Sequence, residues 1–130
     1  MANYSFLIEA TINEIHERYS EIFGVVELAE SLLINKSYLI RRFKKEVGIT
    51  PGIYLQNIRI NRAKELLRNP RYSLEVIAAL CGFSCANYFC KVYKKETGET
   101  PTTFRKRIAG SAPLSILSMT TPEENELYAL

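Results

Sequence analysis

Apolar residues recur along most of the chain at the three- and four-residue spacing of an amphipathic helix. The first such stripe predicts a helix over residues 4–20 and consists of Ile8, Ile12, Ile15 and Tyr19. The remaining pattern predicts six further helices, over about 26–33, 36–47, 51–67, 74–81, 85–96 and 101–107. No segment alternates apolar and polar residues over the length of a strand, so the pattern predicts an all-α fold of about seven helices.

Residues suited to capping mark the beginnings of several of these helices. Side chains that can accept a hydrogen bond from a first-turn N–H group precede five of them: Asn35, Thr50, Ser73, Ser84 and Thr100. Pro51 and Pro101 follow the two threonines, and proline is favoured in the first position of a helix. Gly48 and Gly98 follow two of the predicted helices, where glycine commonly ends a helix.

Two segments of the chain, residues 38–51 and 88–101, are copies of each other. At an offset of 50 they share a Tyr, two Lys, a Glu, a Gly, a Thr and a Pro, which makes seven identities in 14 positions. Upstream the match continues at an offset of 49, where Leu28-Ala29 corresponds to Ile77-Ala78. A match of this length at a fixed offset indicates that one small unit occurs twice.

Each copy consists of a short predicted helix, a turn of about four residues and a longer predicted helix. This is the order of elements in a helix-turn-helix, whose second helix enters the major groove of DNA. We therefore predict one domain over residues 4–107 that contains a first helix-turn-helix at about 26–48, a connector helix at 51–67, a second helix-turn-helix at about 74–97 and a last helix at 101–107. Residues 108–130 are predicted to form a flexible tail. The two turns differ, since Leu33 stands in the first where Gly82 stands in the second.

The composition describes a globular chain whose basic residues are concentrated in the middle. The 130 residues are 47% hydrophobic and 24% charged, and they carry a formal net charge of +3. Residues 36–68 hold nine Lys and Arg against two Glu, and residues 69–107 hold seven against three. Residues 1–30 have a net charge of −5, and residues 108–130 have a net charge of −3. A basic middle of this kind indicates a polyanionic partner.

The longer helix of each copy has an apolar face and a polar, basic face. In the first copy Leu39, Phe43 and Val47 form the apolar stripe, and the opposite stripe consists of Ser37, Ile40, Arg41 and Lys44. In the second copy Phe89 and Tyr93 point inward, and the outward positions are Asn87, Cys90, Lys91 and Lys94. A basic stripe opposite the core face favours contact with nucleic acid over a merely solvated surface.

The outward residue types match the chemistry of base edges and phosphates. Arg41 can donate two hydrogen bonds to a guanine edge, and Asn87 can pair with an adenine edge. Ile40 fits beside a thymine methyl group, or alternatively packs against the connector helix. The lysines toward the C-terminal ends of the two helices are predicted to contact phosphates: Lys44, Lys45, Lys94 and Lys95.

At these residues the chain resembles the AraC/XylS family of bacterial transcription regulators. The resemblance covers roughly residues 8–107 and is carried by the first copy, by Arg59-Ile-Asn-Arg-Ala-Lys-Glu-Leu-Leu67, by Ile77-Ala-Ala-Leu-Cys-Gly-Phe-Ser84 and by the second copy. It implies a seven-helix domain in which a long helix bridges two helix-turn-helix units that read successive major-groove segments. Carried over by position, the implied base-reading residues are Lys36, Ser37, Ile40 and Arg41 in the first unit and Ala86, Asn87, Cys90 and Lys91 in the second.

The resemblance implies a sequence-specific, double-stranded DNA-binding transcriptional regulator in a bacterial cytoplasm. We expect double-stranded DNA and RNA polymerase as its partners, together with a separate effector-binding or dimerisation domain if the chain is an excised fragment. The sequence has no Gly-rich phosphate loop, no nucleophile elbow and no apolar run of membrane-spanning length. We therefore expect no enzymatic activity, no catalytic residue, no metal, no cofactor and no membrane association.

Two other interpretations stay open on the sequence alone. The same helices could bind a protein, which would make the chain a helical interaction module without sequence-specific DNA binding. Such a module predicts apolar outward stripes, whereas the stripes here are polar and basic. Basic neighbours could also favour a reactive thiolate, and hence a redox-sensing role, in the cluster formed by Cys81, Cys85 and Cys90.

Overall fold

The computed structural model describes residues 3–111, which form seven α-helices and no strand. In chain order the helices are α1 (Phe6–Arg18), α2 (Val25–Ser31), α3 (Lys36–Val47), α4 (Pro51–Leu67), α5 (Leu74–Cys81), α6 (Ala86–Thr97) and α7 (Pro101–Ser111). The prediction of an all-α fold of about seven helices is therefore confirmed. Residues 108–111 of the predicted tail belong to α7, and the remainder of that tail lies outside the described residues.

Most helix ends lie where the capping pattern predicts them. α3, α4 and α5 begin and end at the predicted residues. Side-chain oxygens accept a hydrogen bond from a first-turn N–H group, at 3.0 to 3.2 Å, in four of the predicted caps: Asn35, Thr50, Ser73 and Thr100. Gly48 and Gly98 follow α3 and α6 with φ of 98° and 88°, in the left-handed region that glycine enters without a Cβ clash.

Three helices differ in length from the prediction. α1 is shorter than residues 4–20 because Ser5 lies outside the helix, where its backbone N–H and its hydroxyl both donate to the Glu46 carboxylate, at 2.7 and 2.8 Å. α2 ends at Ser31 because the chain turns there, before the predicted end at residue 33. α7 continues past its predicted end at residue 107, because Ile108 packs against an apolar core and extends the buried face of the helix.

The chain divides into two units, and the boundary between them falls within α4. Unit 1 is Met1–Arg59 and unit 2 is Ile60–Leu130. The buried core of unit 1 consists of Ile8, Ile15, Ile22, Leu28, Ala29, Leu39, Phe43 and Leu55. The buried core of unit 2 consists of Ile60, Ala63, Leu66, Leu67, Tyr72, Ile77, Ala78, Cys81, Phe83, Phe89, Val92, Tyr93 and Phe104. Each unit therefore has its own helix-turn-helix, packed on its own core.

In each unit an arginine binds the backbone just past the helix that precedes the helix-turn-helix. In unit 1, Arg59 donates hydrogen bonds to two carbonyl oxygens beyond the end of α1, those of Tyr19 and Ile22. In unit 2, Arg105 donates to two carbonyl oxygens at the end of α4, those of Leu67 at 3.1 Å and Asn69 at 3.2 Å. Carbonyl groups at a helix C-terminus lack partners within the helix. The two guanidinium groups satisfy such carbonyls and hold the chain as it enters α2 and α5.

Candidate nucleic-acid interface

The turns between the paired helices have the same backbone hydrogen bond in both units. In unit 1 the N–H of Ile34 donates to the Ala29 carbonyl at 3.0 Å, and in unit 2 the N–H of Phe83 donates to the Ala78 carbonyl at 2.9 Å. This bond belongs to the Schellman motif, which ends a helix and turns the chain. Ala29 and Ala78 are also buried, and their small side chains let the short helix approach the longer one closely.

A residue in the left-handed conformation completes each turn, and the two units fill this position differently. Gly82 has a φ of 93° in unit 2, which glycine adopts without strain. Leu33 has a φ of 56° in unit 1, and its side chain is 94% exposed. A residue with a Cβ atom loses roughly 1–2 kcal/mol in this conformation, and an exposed side chain offsets little of that cost. The turn of unit 1 is therefore strained, whereas that of unit 2 is not.

The second helices, α3 and α6, begin with different caps. The Asn35 Oδ1 atom accepts from the Tyr38 N–H at 3.1 Å. In unit 2 the Cys85 Sγ atom accepts from the Tyr88 N–H at 3.4 Å, so the prediction that Ser84 caps this helix is wrong. The position of the cap follows from the copies themselves, because at the offset of 50 it is Cys85 that corresponds to Asn35. A thiol is a weak acceptor, so α6 has the weaker cap.

The inner faces of α3 and α6 are buried as the apolar stripes predict. Leu39 and Phe43 lie in the core of unit 1, and Phe89 and Tyr93 lie in the core of unit 2, with all four side chains fully buried. Val47, at the end of the first stripe, is half-buried and packs at the edge of the unit 1 core. Each second helix is therefore held on one face and presents the opposite face outward.

The outer face of α3 carries polar and basic side chains that are exposed in the described part of the chain. Five of the predicted DNA-contacting residues are exposed, and none of the five forms a hydrogen bond or ion pair within residues 3–111: Lys36, Ser37, Arg41, Lys44 and Lys45. Ile40 is half-buried but is not among the residues that pack in the unit 1 core. Its side chain therefore keeps an accessible apolar surface beside Arg41.

Two adjacent arginines of α3 have different environments. Arg42 donates to the Glu46 carboxylate at 2.5 Å, and this bond raises the pKa of Arg42. The Ser5 N–H and then the Arg42 side chain donate to the same carboxylate and lower the pKa of Glu46. Arg41 has no such partner among the described residues. Arg42 thus helps to hold the start of α1 against α3 through Glu46. The guanidinium donors of Arg41 form no hydrogen bond within the described residues and remain available to bind another molecule.

The outer face of α6 has the same character, with two positions less exposed. Four predicted residues are exposed and form no hydrogen bond or ion pair within the described range: Asn87, Lys91, Lys94 and Lys95. Ala86 and Cys90 are half-buried, and Cys90 packs against the core of unit 2. Burial, followed by the nearby Glu75 carboxylate, raises the pKa of the Cys90 thiol. A raised pKa disfavours the thiolate, and Cys81 is fully buried, so two of the three cysteines do not fit a redox sensor.

Three acidic residues of unit 1 form a separate network at the junction of α1 and α2. The Arg18 guanidinium donates to Glu14 and to Glu27, both at 2.7 Å, and to Glu21 at 3.4 Å. Glu27 also accepts from the Phe23 N–H at 2.8 Å, and this bond and the Arg18 contact lower the pKa of the Glu27 carboxyl. These carboxylates hold α1 and α2 together through Arg18. They bind Arg18 and do not pair with the basic residues on the outer face of α3.

The described residues give little support for a metal site, a catalytic histidine or a membrane-spanning helix. Within residues 3–111 no group of three His, Cys, Asp or Glu side chains is arranged to hold a metal ion. The His16 Nε2 atom lies 2.9 Å from the Tyr54 hydroxyl oxygen, with the two rings edge to face, so this histidine has a structural contact. No single helix in this part of the chain is long and apolar enough to cross a membrane. α5 and α6 reach that length and apolarity only together, across a bend of 77°.

Comparisons with known sequences identify a family and several relatives that are similar to this chain. A family model described as a helix-turn-helix domain matches residues 28–107. The Msm operon regulatory protein of Streptococcus mutans is 34% identical over 94 residues, which are 72% of this chain and 34% of that protein. The chain thus spans about a third of the length of the curated relatives it matches.

Solved structures of similar fold include two bacterial regulators. The C-terminal domain of AraT, a response regulator from Geobacillus stearothermophilus, has a TM-score of 0.78 and 28% identity, and the match covers 82% of this chain and 88% of that one. A Chromobacterium violaceum transcriptional regulator, described as an AraC-type DNA-binding domain-containing protein, has a TM-score of 0.68 and 26% identity. That match covers 78% of this chain and 90% of the other.

Proposed function

The chain belongs to the AraC-type helix-turn-helix family, and on that basis we propose that it is a sequence-specific, double-stranded DNA-binding transcriptional regulator. The family match, residues 28–107, begins within α2 and covers the rest of the first helix-turn-helix and all of the second. The main observation in favour of this proposal is made in both units. In each unit the second helix is buried on one face and presents exposed basic or amide side chains, without partners in the described chain, on the other.

In the proposed mode of binding, α3 and α6 each enter a segment of the major groove. The N-terminal half of such a helix contacts base edges, and basic residues farther along contact the phosphates. We assign base reading to Lys36, Ser37, Ile40 and Arg41 in α3 and to Ala86, Asn87, Cys90 and Lys91 in α6. We assign phosphate contacts to Lys44, Lys45, Lys94 and Lys95.

The two helices differ in how much each assigned residue can contribute. Arg41 has all its guanidinium donors available, so it is the strongest candidate for a bidentate contact to guanine. Asn87 is exposed at the start of α6 and can pair with an adenine edge. Ala86 and Cys90 offer only small, half-buried surfaces, which suit an apolar contact such as a thymine methyl group. We therefore expect α3 to contribute more base specificity than α6.

The function of the whole protein is proposed on the same basis. Because the chain spans about a third of its curated relatives, we propose that a separate effector-binding or dimerisation domain accompanies this domain. We propose RNA polymerase as the protein partner and the bacterial cytoplasm as the location. The relatives are named as regulators, so we propose a role in transcription without enzymatic activity and without a cofactor.

Selection of binding sites from a random duplex library, followed by affinity measurements at several salt concentrations, tests this function. The two units are tandem copies, so the selected site should be asymmetric and about two helical turns long, roughly 20 base pairs. Replacing Lys44 and Lys45 by Ala should reduce the dependence of log affinity on log salt by about two. Lys106→Ala, which removes an exposed lysine of α7, is the control for loss of charge elsewhere. Failure to enrich any sequence, with no salt-dependent binding to DNA, would favour the protein-interaction module instead.

A further inference from the structure

We propose that the acidic end of the chain, at Glu123, Glu124 and Glu126, binds the outer face of α6 and competes there with DNA. The proposed contact between these glutamates and α6 lies within the chain and forms without DNA. Its effect on regulation rests on the proposed function. The occupant of this helix face is thus the segment of residues 112–130, which follows α7 in the sequence.

The receiving surface is a cluster of three lysines on α6. Lys94 and Lys95 follow Lys91 by three and four positions, so both lie one turn of the helix beyond it. All three are exposed, and none forms an ion pair or hydrogen bond within the described range. The carboxylate of Glu99, just past the end of α6, is bound instead by Arg107 at 2.8 Å. The three positive charges therefore have no compensating carboxylate bound to them.

The charge of residues 112–130 is complementary to this cluster. This segment has three Glu and no Lys, Arg or His. The three carboxylates fall within four consecutive positions, so they would act as one concentrated patch of negative charge. The segment thus carries three negative charges and the cluster three positive ones, and opposite charge favours binding between two surfaces.

The attachment point allows the two charged groups to meet. α7 packs beside α6, since the Tyr93 and Phe104 rings lie 6.1 Å apart between their centroids. Glu123 follows Ser111, the last residue of α7, by twelve positions, and an extended chain of that length spans roughly 40 Å. The 12 residues of α6 extend only about 18 Å. All three lysines are therefore within reach, and the tether holds the acidic patch at an effective concentration in about the millimolar range.

Exposed ion pairs are weak and screened by salt, which defines the expected behaviour. At about 50 mM salt the acidic patch should lower DNA affinity by about two- to fivefold. At several hundred millimolar salt the difference should largely disappear, because added salt screens exposed ion pairs and weakens them. Sequence preference at the positions assigned to α3 should change little, since Lys91 of α6 is the one base-reading residue that the patch contacts.

Zero-length carbodiimide cross-linking of the whole chain, without DNA, tests the contact directly. We expect links from Glu123, Glu124 or Glu126 to the lysines of α6, which high salt and added duplex both suppress. Links from these glutamates to other lysines only, or none at low salt, would overturn the proposal. Because this readout needs no DNA, it separates failure of the tail contact from failure of the proposed function.

Affinity measurements on two variants with equal loss of negative charge test the consequence. E123Q/E124Q should bind duplex DNA about two- to fivefold more tightly than the parent at about 50 mM salt, and equally at high salt. E9Q/E17Q removes two exposed carboxylates of α1, which form no ion pair in the described chain, and should show a smaller gain. E123D/E124D keeps the charge and should behave as the parent. Equal gains in the two Gln variants would mean that net charge alone is responsible, and would overturn the competition.

Discussion

The rings of Tyr93 and Phe104 meet in unit 2, with 6.1 Å between their centroids, and the buried Tyr93 hydroxyl has no hydrogen-bond partner in the described chain. The residues at the corresponding positions of unit 1, Phe43 and Tyr54, also form an aromatic pair, with 5.6 Å between the ring centroids. There the hydroxyl is on the other ring, where Tyr54 contacts His16 at 2.9 Å. The two units thus share an aromatic pair but place its polar atom in opposite environments.

Replacing Tyr93 by Phe should therefore stabilise the protein. A buried hydroxyl without a partner loses its hydration without compensation, so its removal should raise the free energy of unfolding by about 1 kcal/mol. The residue created is the one that unit 1 already has at position 43. Burial, the main cause, raises the pKa of Tyr93 to about 12, so the hydroxyl is neutral throughout the usual range of measurement. Urea unfolding of parent and variant at pH 7 measures the difference.

The matched control is Tyr54→Phe, which removes a hydroxyl that has a partner. Loss of the contact with His16 should leave the free energy of unfolding unchanged or lower it by about 0.5–1 kcal/mol, since the bond lies near the surface. The two variants should thus differ in sign. A loss of stability in Tyr93→Phe would show that the Tyr93 hydroxyl binds an ordered water.

The turn of unit 1 provides a second prediction. Leu33→Asn should raise the free energy of unfolding by about 0.5–1 kcal/mol, because Asn enters the left-handed region more readily than Leu. Leu33→Ala keeps a Cβ atom without that tolerance and should give no gain. The exposed Leu33 side chain makes no core contact that either variant would lose. Thermal unfolding of the two variants compares them directly, and equal effects of Asn and Ala would contradict the assignment of strain.

The contact between Ser5 and Glu46 predicts a specific dependence on pH. The Ser5 N–H lowers the pKa of Glu46, so the ionised carboxylate stabilises the folded state above its ordinary pKa of 4.5. This stabilisation is lost as pH falls through the lowered value. Glu46→Gln should therefore melt at a lower temperature than the parent at pH 7, and the difference should shrink below about pH 4.5.

A second carboxylate offers the control for this measurement. Glu65 forms an exposed ion pair with Arg62 at 2.7 Å, and its side chain is 65% exposed. Pairs of this kind contribute little to stability, so Glu65→Gln should change the melting temperature much less at every pH. If the Glu46→Gln difference is the same at pH 7 and below pH 4, the carboxylate charge is not what holds the start of α1.

Much of the fold could be predicted because the information is local in the sequence. The apolar spacing, the Thr-Pro starts and the repeated segment determine the helices and their order, and the caps at Asn35 and Ser73 lie where predicted. Serine is a more usual capping residue than cysteine, so the sequence predicts Ser84 as the cap of α6. The correspondence of Cys85 with Asn35 at the offset of 50 gives the observed position instead.

The contacts that could not be predicted join residues far apart in the chain. Arg59 binds carbonyl groups 37 and 40 positions away, and no local pattern distinguishes it from a solvated arginine on a basic helix. Periodicity places Arg41 on the outward stripe of α3, but it does not show that Ser5, 41 positions from Glu46, donates to the carboxylate that Arg42 also binds. The outward residues could be named from periodicity, but which of them are free of partners required the three-dimensional contacts.

That difference between the two arginines leads to the sharpest test of DNA reading. Arg41→Ala should cost about 1–3 kcal/mol of affinity on the preferred site and relax base choice at one or two positions, because a bidentate contact to guanine is lost. Arg42→Ala should instead destabilise the fold through the loss of its pair with Glu46, and the folded protein should keep its base preference. Binding to the preferred site and to scrambled DNA, together with unfolding curves, distinguishes the two results.

Substitutions of two lysines distinguish contacts to bases from contacts to phosphates. Lys45→Ala should weaken binding to all sequences alike and lower the salt dependence by about one, as expected of a phosphate contact. Lys91→Ala should behave like Arg41→Ala but more weakly, because an ammonium group lacks the planar fork that pairs with guanine. Measurements at several salt concentrations separate these effects. If Arg41→Ala lowers the affinity for preferred and scrambled DNA equally, Arg41 contacts a phosphate, and base reading by α3 must then depend on Lys36, Ser37 and Ile40.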